Sequence, residues 1–254
     1  MQHHEKKKKR TVLAAVVLSA AMIAVPLGQG TAASADTAAP TGNVGSFKQR
    51  FVENFSTPAN AGGPFARTYA KSWQPYPDGT GGTYWSGRQV RGHDGVLDVV
   101  LDGKHGAAGT FGTPTGAWSH VGGKFSVRAR ATGGTGNGAA FMLWPTSNRW
   151  ADGEIDFPEG NFESTPMAFQ HSMTPGREAS TTSTATGVSW RYWHTYSVEW
   201  IPGRSVTYLL DGRAIRTVTR DVPTTPHRYM FQVGNWGATG HLYIDWVSSY
   251  DYVR

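Results

Sequence analysis

Apolar and polar residues alternate along most of this chain in runs of five to ten, and each run ends in turn chemistry. "TYSVEW" is followed by Pro202-Gly203, then "SVTYLL", then Asp211-Gly212, then "RAIRTVT". A period of two broken by Pro-Gly and Asp-Gly pairs predicts a three-stranded antiparallel meander over Thr195 to Thr219. "GVLDVVL", "GKFSVRARA" and "AAFMLW" alternate in the same way, and the chain closes on "HLYIDWVSSYDYV". No window sustains a helical apolar period for three turns, and further Asp-Gly pairs stand at 78–79, 94–95, 102–103 and 152–153. Many short strands at this spacing predict an all-β sandwich or jelly roll of two antiparallel sheets.

One segment departs from this pattern. "VLAAVVLSAAMIAVPLG" has no polar partner positions, follows the basic stretch "KKKKR", and leads to "ASA" at Ala33 to Ala35. That order matches an export signal, so residues 1–35 are expected to be removed and the mature chain secreted. The run is interrupted by Pro26 and Gly28 and is too short for a stable membrane span. Residues 36–46, rich in Ala, Thr and Gly, read as a flexible lead, and 47–254 as one catalytic domain.

Charge then changes the picture. Residues 1–35 hold five Lys or Arg and one Glu, so without them the formal charge drops from +6 to +2. The basic pI is largely a property of the signal, and a nucleic-acid partner loses its support. A membrane partner after signal removal is likewise not expected, and a monomer is. The chain has no cysteine, so packing rather than disulfides must stabilise it.

The candidate chemistry lies in "WADGEIDFPEGNF", Trp150 to Phe162, where Glu154, Asp156 and Glu159 fall within six positions. Alternation puts Glu154 and Asp156 on one strand face, with Ile155 and Phe157 towards the core. Glu159 would then sit on the wrong side, unless a β-bulge at Phe157-Pro158 resets the alternation. On a flat strand the Cα atoms of Glu154 and Glu159 would lie about 13 Å apart, so their side chains converge only if the strand is concave and bulged. Two converging carboxylates suit glycoside hydrolysis, with a separation of about 5 to 5.5 Å for retention and roughly 6.5 to 9.5 Å for inversion. The bland alternative is a solvated acidic face. The neighbouring aromatics Trp150, Phe157 and Phe162 favour a sugar-stacking cleft instead.

"GEIDFPEG" resembles the Glu-x-Asp-x-x-Glu signature of glycoside hydrolase family 16, the laminarinase and endo-β-glucanase-like enzymes, in its bulged form. "GGKFSVRARA", "AAFMLWP", "HTYSVEW", "YLLDG" and "LYIDWVSSYDYV" resemble flanking strands of that family. The resemblance implies a β-jelly roll with a substrate cleft across its concave sheet. It gives Glu154 the nucleophile position, Asp156 the assisting position and Glu159 the acid/base position, and a retaining, endo-acting hydrolysis of β-1,3- or mixed-linkage β-glucan.

For substrate binding, Trp150 beside the motif and Asn235-Trp236 in "VGNWG", which is similar to the family's Gly-Asn-Trp segment, are the first candidates, with Trp118 and His171 next. Trp144, Trp190 and Trp193 are further stacking candidates against a background of core tryptophans. No cofactor is expected in the chemistry. Asp245 matches a position that binds structural calcium in some family members, although one carboxylate makes a weak site. Three rivals stand beside this reading: a lectin-like binding domain, which needs no bulged pair of glutamates; a transglycosylase or a galactan or agar hydrolase of the same family; and a jelly-roll lyase, which needs an Arg-rich strand absent beside Gln170-His171.

Overall fold

The structure is a computed structural model that describes residues 37–254 except Trp236, with Asn235 described in its backbone only. The segment read as an export signal lies outside the described residues. The strands are β1 (Phe47–Glu53), β2 (Trp73–Pro75), β3 (Val90–His93), β4 (Val96–Asp102), β5 (Ala107–Phe111), β6 (Gly123–Thr132), β7 (Asn137–Pro145) and β8 (Ile155–Asn161). They continue as β9 (Met167–His171), β10 (Thr181–Ala185), β11 (His194–Ile201), β12 (Ser205–Leu210), β13 (Arg213–Val218), β14 (His227–Asn235) and β15 (Thr239–Tyr252). Two short helices, Gly63–Thr68 and Ser86–Gln89, are too brief to carry the apolar period of a core helix.

The strands form two antiparallel sheets. One runs β13-β12-β11-β6-β15-β4-β3, with β1 also paired to β15; the other runs β10-β9-β8-β7-β14-β5-β2. Alternation explains how they pack. Val127 and Ala129 of β6, Val198 and Trp200 of β11, and Leu242 and Ile244 of β15 meet Phe141 and Leu143 of β7 and Tyr229 and Phe231 of β14 in one buried core. The jelly-roll expectation therefore holds, and so does the meander: β11 pairs β12 and β12 pairs β13. Its second turn places Asp211 at φ 49° and Gly212 at φ 77°, the left-handed pair that a two-residue hairpin turn requires.

The residues read as a flexible lead are tied to the body from Thr37 onwards. The Gln49 side chain donates to the Pro40 carbonyl at 2.8 Å, and its oxygen accepts from the Gly42 amide at 2.9 Å. Trp246 donates its indole N–H to the Thr37 carbonyl at 3.3 Å.

The β8 segment is shorter than the sequence pattern suggests. Trp150–Asp152 forms a single 3-10 turn and β8 begins at Ile155. Glu154 immediately precedes it, and its carbonyl still accepts from the His171 amide at 3.1 Å, continuing the ladder to β9. The bulge is present: Asp156 stands opposite Met142 and Glu159 opposite Ala140, so two residues of β8 face the single Phe141. The register with β9 slips at the same place, between Asp156 and Glu159.

Candidate active site

Ile155 and Phe157 are buried in the core between the sheets. Phe157 is held there by edge contacts with Tyr196 and Tyr208 at 5.4 and 5.6 Å between ring centres. With those two anchored inward, the bulge leaves Glu154, Asp156 and Glu159 on the outer face of the second sheet. That face carries two hollows. One, of about 200 Å³, is lined by Glu159, Gly138, Ala140, Gln232, Gly234 and Tyr84. The other, of about 340 Å³, is lined by Glu154, Trp144, Met142, Met230, Arg228 and Gln232. Gln232 borders both, and Tyr84 donates to its side-chain oxygen at 3.1 Å. The hollows adjoin at Gln232 as one depression, lined by small residues at the Glu159 end and bulky ones at the Glu154 end.

His171, from β9, joins the three acids. Its Nε2 lies 3.0 Å from Asp156 Oδ2 and 3.8 Å from Glu154 Oε2, while its Nδ1–H donates to the Glu178 carbonyl at 2.8 Å. Asp156 is 1% exposed, and neither of its oxygens receives a well-directed hydrogen bond. The His171 contact is thus an ion pair rather than an aligned hydrogen bond. Burial opposes the charged imidazole, but the Asp156 contact and the surrounding acids prevail and hold His171 up to about 9. Burial, followed by mutual repulsion, pushes Asp156 well above the usual carboxylate range. Glu154 and Glu159 are also raised, mainly by burial, with the His171 charge opposing the rise in both. Such a cluster retains a proton near neutral pH and shares it among its members.

Ligand atoms of Glu154, Asp156 and His171 all lie within 4.8 Å of one another, which is close enough for a metal. His171 would offer Nε2, the ring nitrogen that faces the acids, because its Nδ1–H is given to the Glu178 carbonyl. Asp245, the calcium candidate, has a partner within the protein. Arg128 Nη1 donates to Asp245 Oδ2 at 2.6 Å, so a cation already occupies that carboxylate.

The other sequence candidates separate by position. Trp150 is part-exposed with its ring 5.5 Å from His171, at the rim beside the acids. Trp118 is also part-exposed, and the Arg228 guanidinium lies over its ring at 5.0 Å. Asn235 pairs with Asn137 through its backbone, on the strand that floors the depression, and Trp236 lies outside the described residues. Trp190 is a correction: it is fully buried between Phe162 and Tyr196 and can stack on no sugar. Phe157 and Phe162 are core residues for the same reason. Trp193 is covered by Arg128 and Arg130, which belong to the opposite sheet.

Sequence reasoning did not single out Arg228, Gln232 or Tyr84, nor Tyr76, which also lines the hollow at Glu154. The alternation of "HRYMFQVGN" held part of the signal: Tyr229, Phe231 and Val233 face the core, so Arg228, Met230 and Gln232 must face the depression.

Two packed antiparallel sheets with three acids gathered on one face at the β8 bulge define the class, a jelly-roll protein with an acidic cleft. The sequence model of glycosyl hydrolases family 16 matches residues 82–252, and the chain belongs to that family. It is 36% identical to a β-glucanase of Bacillus subtilis (strain 168) over 62 residues, 24% of each chain, so the match spans about a quarter of that relative. The fold is similar to the laminarinase of Rhodothermus marinus, at TM-score 0.63 and 21% identity, over 82% of this chain and 98% of that one. It is similar also to the laminarinase catalytic domain of Thermotoga maritima MSB8, at TM-score 0.66 and 16% identity, over 83% and 100% of the two chains.

Proposed function

We propose that this chain is a secreted, endo-acting β-glycanase that cleaves β-1,3- or mixed-linkage β-glucan with retention of configuration. The observation that carries the reading is the bulge, which turns Glu159 onto the face already held by Glu154 and Asp156. Glu154 attacks the anomeric carbon and forms a glycosyl-enzyme intermediate, while Glu159 protonates the departing oxygen. The His171 imidazolium opposes the rise of both glutamates; what separates them is a Trp150 hydrogen bond that favours ionised Glu154 and the Glu154 charge that favours protonated Glu159, which suits the nucleophile and proton-donor roles. Water then enters, and Glu159 removes its proton as the intermediate breaks down.

Relatives support the substrate class, since the matched proteins are described as a β-glucanase and laminarinases. The depression is open at the surface, which suits attack within a chain. The chemistry calls for no cofactor. The basic and apolar run before residue 36 supports export.

A polysaccharide panel of β-1,3-glucan, mixed-linkage glucan, agarose and galactan tests the reading. Mid-length oligosaccharides are expected early from one of the two glucans, with NMR of the fresh reducing end giving the β-anomer first. Release of an α-anomer would replace retention by inversion. Polymers that bind but remain intact would replace the hydrolase by a lectin.

A further inference from the structure

The Glu154 end of the depression contains a charge that the hydrolysis above does not use. Arg228, on β14, is 7% exposed yet lines the hollow that holds Glu154. Its Nη1 donates to Asn148 Oδ1 at 2.9 Å and, at 3.4 Å, to the Pro145 carbonyl. Both acceptors are neutral. Among the described residues no carboxylate pairs with Arg228, and its Nε is buried without a partner. The nearby Asp152 is engaged by Arg149 at 3.0 Å instead.

The guanidinium is nevertheless held in place. It lies over the Trp118 ring at 5.0 Å, and Asn148, which sits at φ 57°, also accepts from Trp144 Nε1 at 3.2 Å. Trp118 and Asn148, from separate segments, thus fix an uncompensated cation against the cleft. Burying a charge without a counter-ion is costly, and a fixed planar guanidinium is the group best matched to a carboxylate or sulfate. Neutral sugar hydroxyls could accept from it, but would leave the buried charge uncompensated.

We propose that Arg228 is a specificity residue that receives an anionic oxygen substituent of the polysaccharide, a carboxylate or a sulfate ester, at the Glu154 end of the cleft. The proposal rests on the β-glycanase reading for the identity of the chain bound. Asn148 and Trp118 orient the fork, Trp144 walls the sugar that bears the substituent, and the ligand supplies the counter-charge that the protein lacks.

The test uses the chain carrying Glu154→Gln, which binds without turnover, and three β-1,3-linked glucose hexamers: unmodified, carrying glucuronate, and carrying a sulfate ester. Calorimetry is expected to give at least about tenfold tighter binding for one charged hexamer than for the neutral one. Which of the two it is identifies the substituent. Adding Arg228→Gln should remove the preference, and Arg228→Lys should retain part of it, which separates loss of charge from loss of fold. Equal affinities for all three hexamers, or a preference that survives Arg228→Gln, would overturn the proposal. If the neutral hexamer binds and neutral glucan is cut while charge adds nothing, only this inference fails. If no hexamer binds and no polymer on the panel is cut, the β-glycanase reading fails with it.

Discussion

The division of labour among Glu154, Glu159 and His171 can be separated by single substitutions. Glu159→Ala removes the proton donor, so turnover of polysaccharide should fall by about 10²- to 10⁴-fold. Aryl glycosides whose leaving group needs no proton should still form the intermediate, and azide should then speed its breakdown to a β-glycosyl azide. Glu154→Ala with azide should instead yield the α-azide by direct attack. His171→Gln removes the positive charge that opposes the raised pKa of both glutamates. With that charge gone both pKa values rise further, because protonation is now less opposed. Both limbs of the kcat/KM profile against pH should therefore move towards alkaline values. A profile that keeps its limbs while its height falls would make His171 a packing residue only.

At the scale of the element, β8 works by counting. Two residues, Phe157 and Pro158, span the space of one on β7, and this single extra position keeps Phe157 in the core and Glu159 in the cleft. Deleting Pro158 restores plain alternation and leaves Glu159 outward and opposite Ala140, but removes the local bend and twist by which the bulge aims its side chain. Activity should fall by on the order of 10²-fold and remain measurable. Inserting one alanine between Pro158 and Glu159 reverses the parity and turns Glu159 inward, so activity should vanish while the far-ultraviolet spectrum stays that of a β protein. Equal activity of the two variants would mean that the bulge does not aim Glu159. This element was legible in the sequence because a carboxylate trio cannot share a face under strict alternation. Other elements were not. β10, "TTSTA", is an edge strand exposed along most of its length, so it has no apolar period to read. Arg228 was hidden because a lone Arg in a strand reads as a solvated charge. Its burial depends on Asn148 and Trp118, which lie on other segments, and local pattern does not reveal that pairing. Trp190 failed the opposite way, since nothing in "VSWRYW" tells a core tryptophan from a cleft one.

For the whole molecule, two sheets with no disulfide must be secured on the outer face of the first sheet as well as in the core between them. One such point is Asp98 on β4, fully buried, which accepts from Arg91 of β3 at 3.0 Å and contacts His93 Nε2 at 2.9 Å and His241 Nδ1, on β15, at 2.8 Å. It ties three neighbouring strands across the direction of the ladder. Burial works against its charge, but the His93, His241 and Arg91 contacts outweigh that and lower its pKa. A carboxylate lowered in the folded state contributes stability above the ordinary pKa of about 4 and loses it as pH falls through the folded value. His93 is raised, chiefly by its hydrogen bonds to Asp98 and Asp94. Its contribution is complete below the ordinary imidazole pKa of about 6.5 and is lost as pH rises through the folded value. The tie should therefore be strongest between about pH 4 and 6.5. Asp98→Ala should cost about 3 kcal/mol there, the lower end for a broken buried pair because Arg91 and His93 can return to water. For a domain of this size that is a fall in Tm on the order of 10 °C. Thermal unfolding of both proteins across pH 3 to 9 should show the difference widest in that window and narrowing on either side. A difference that is flat with pH would assign the loss to a packing defect and not to the Asp98 charge network.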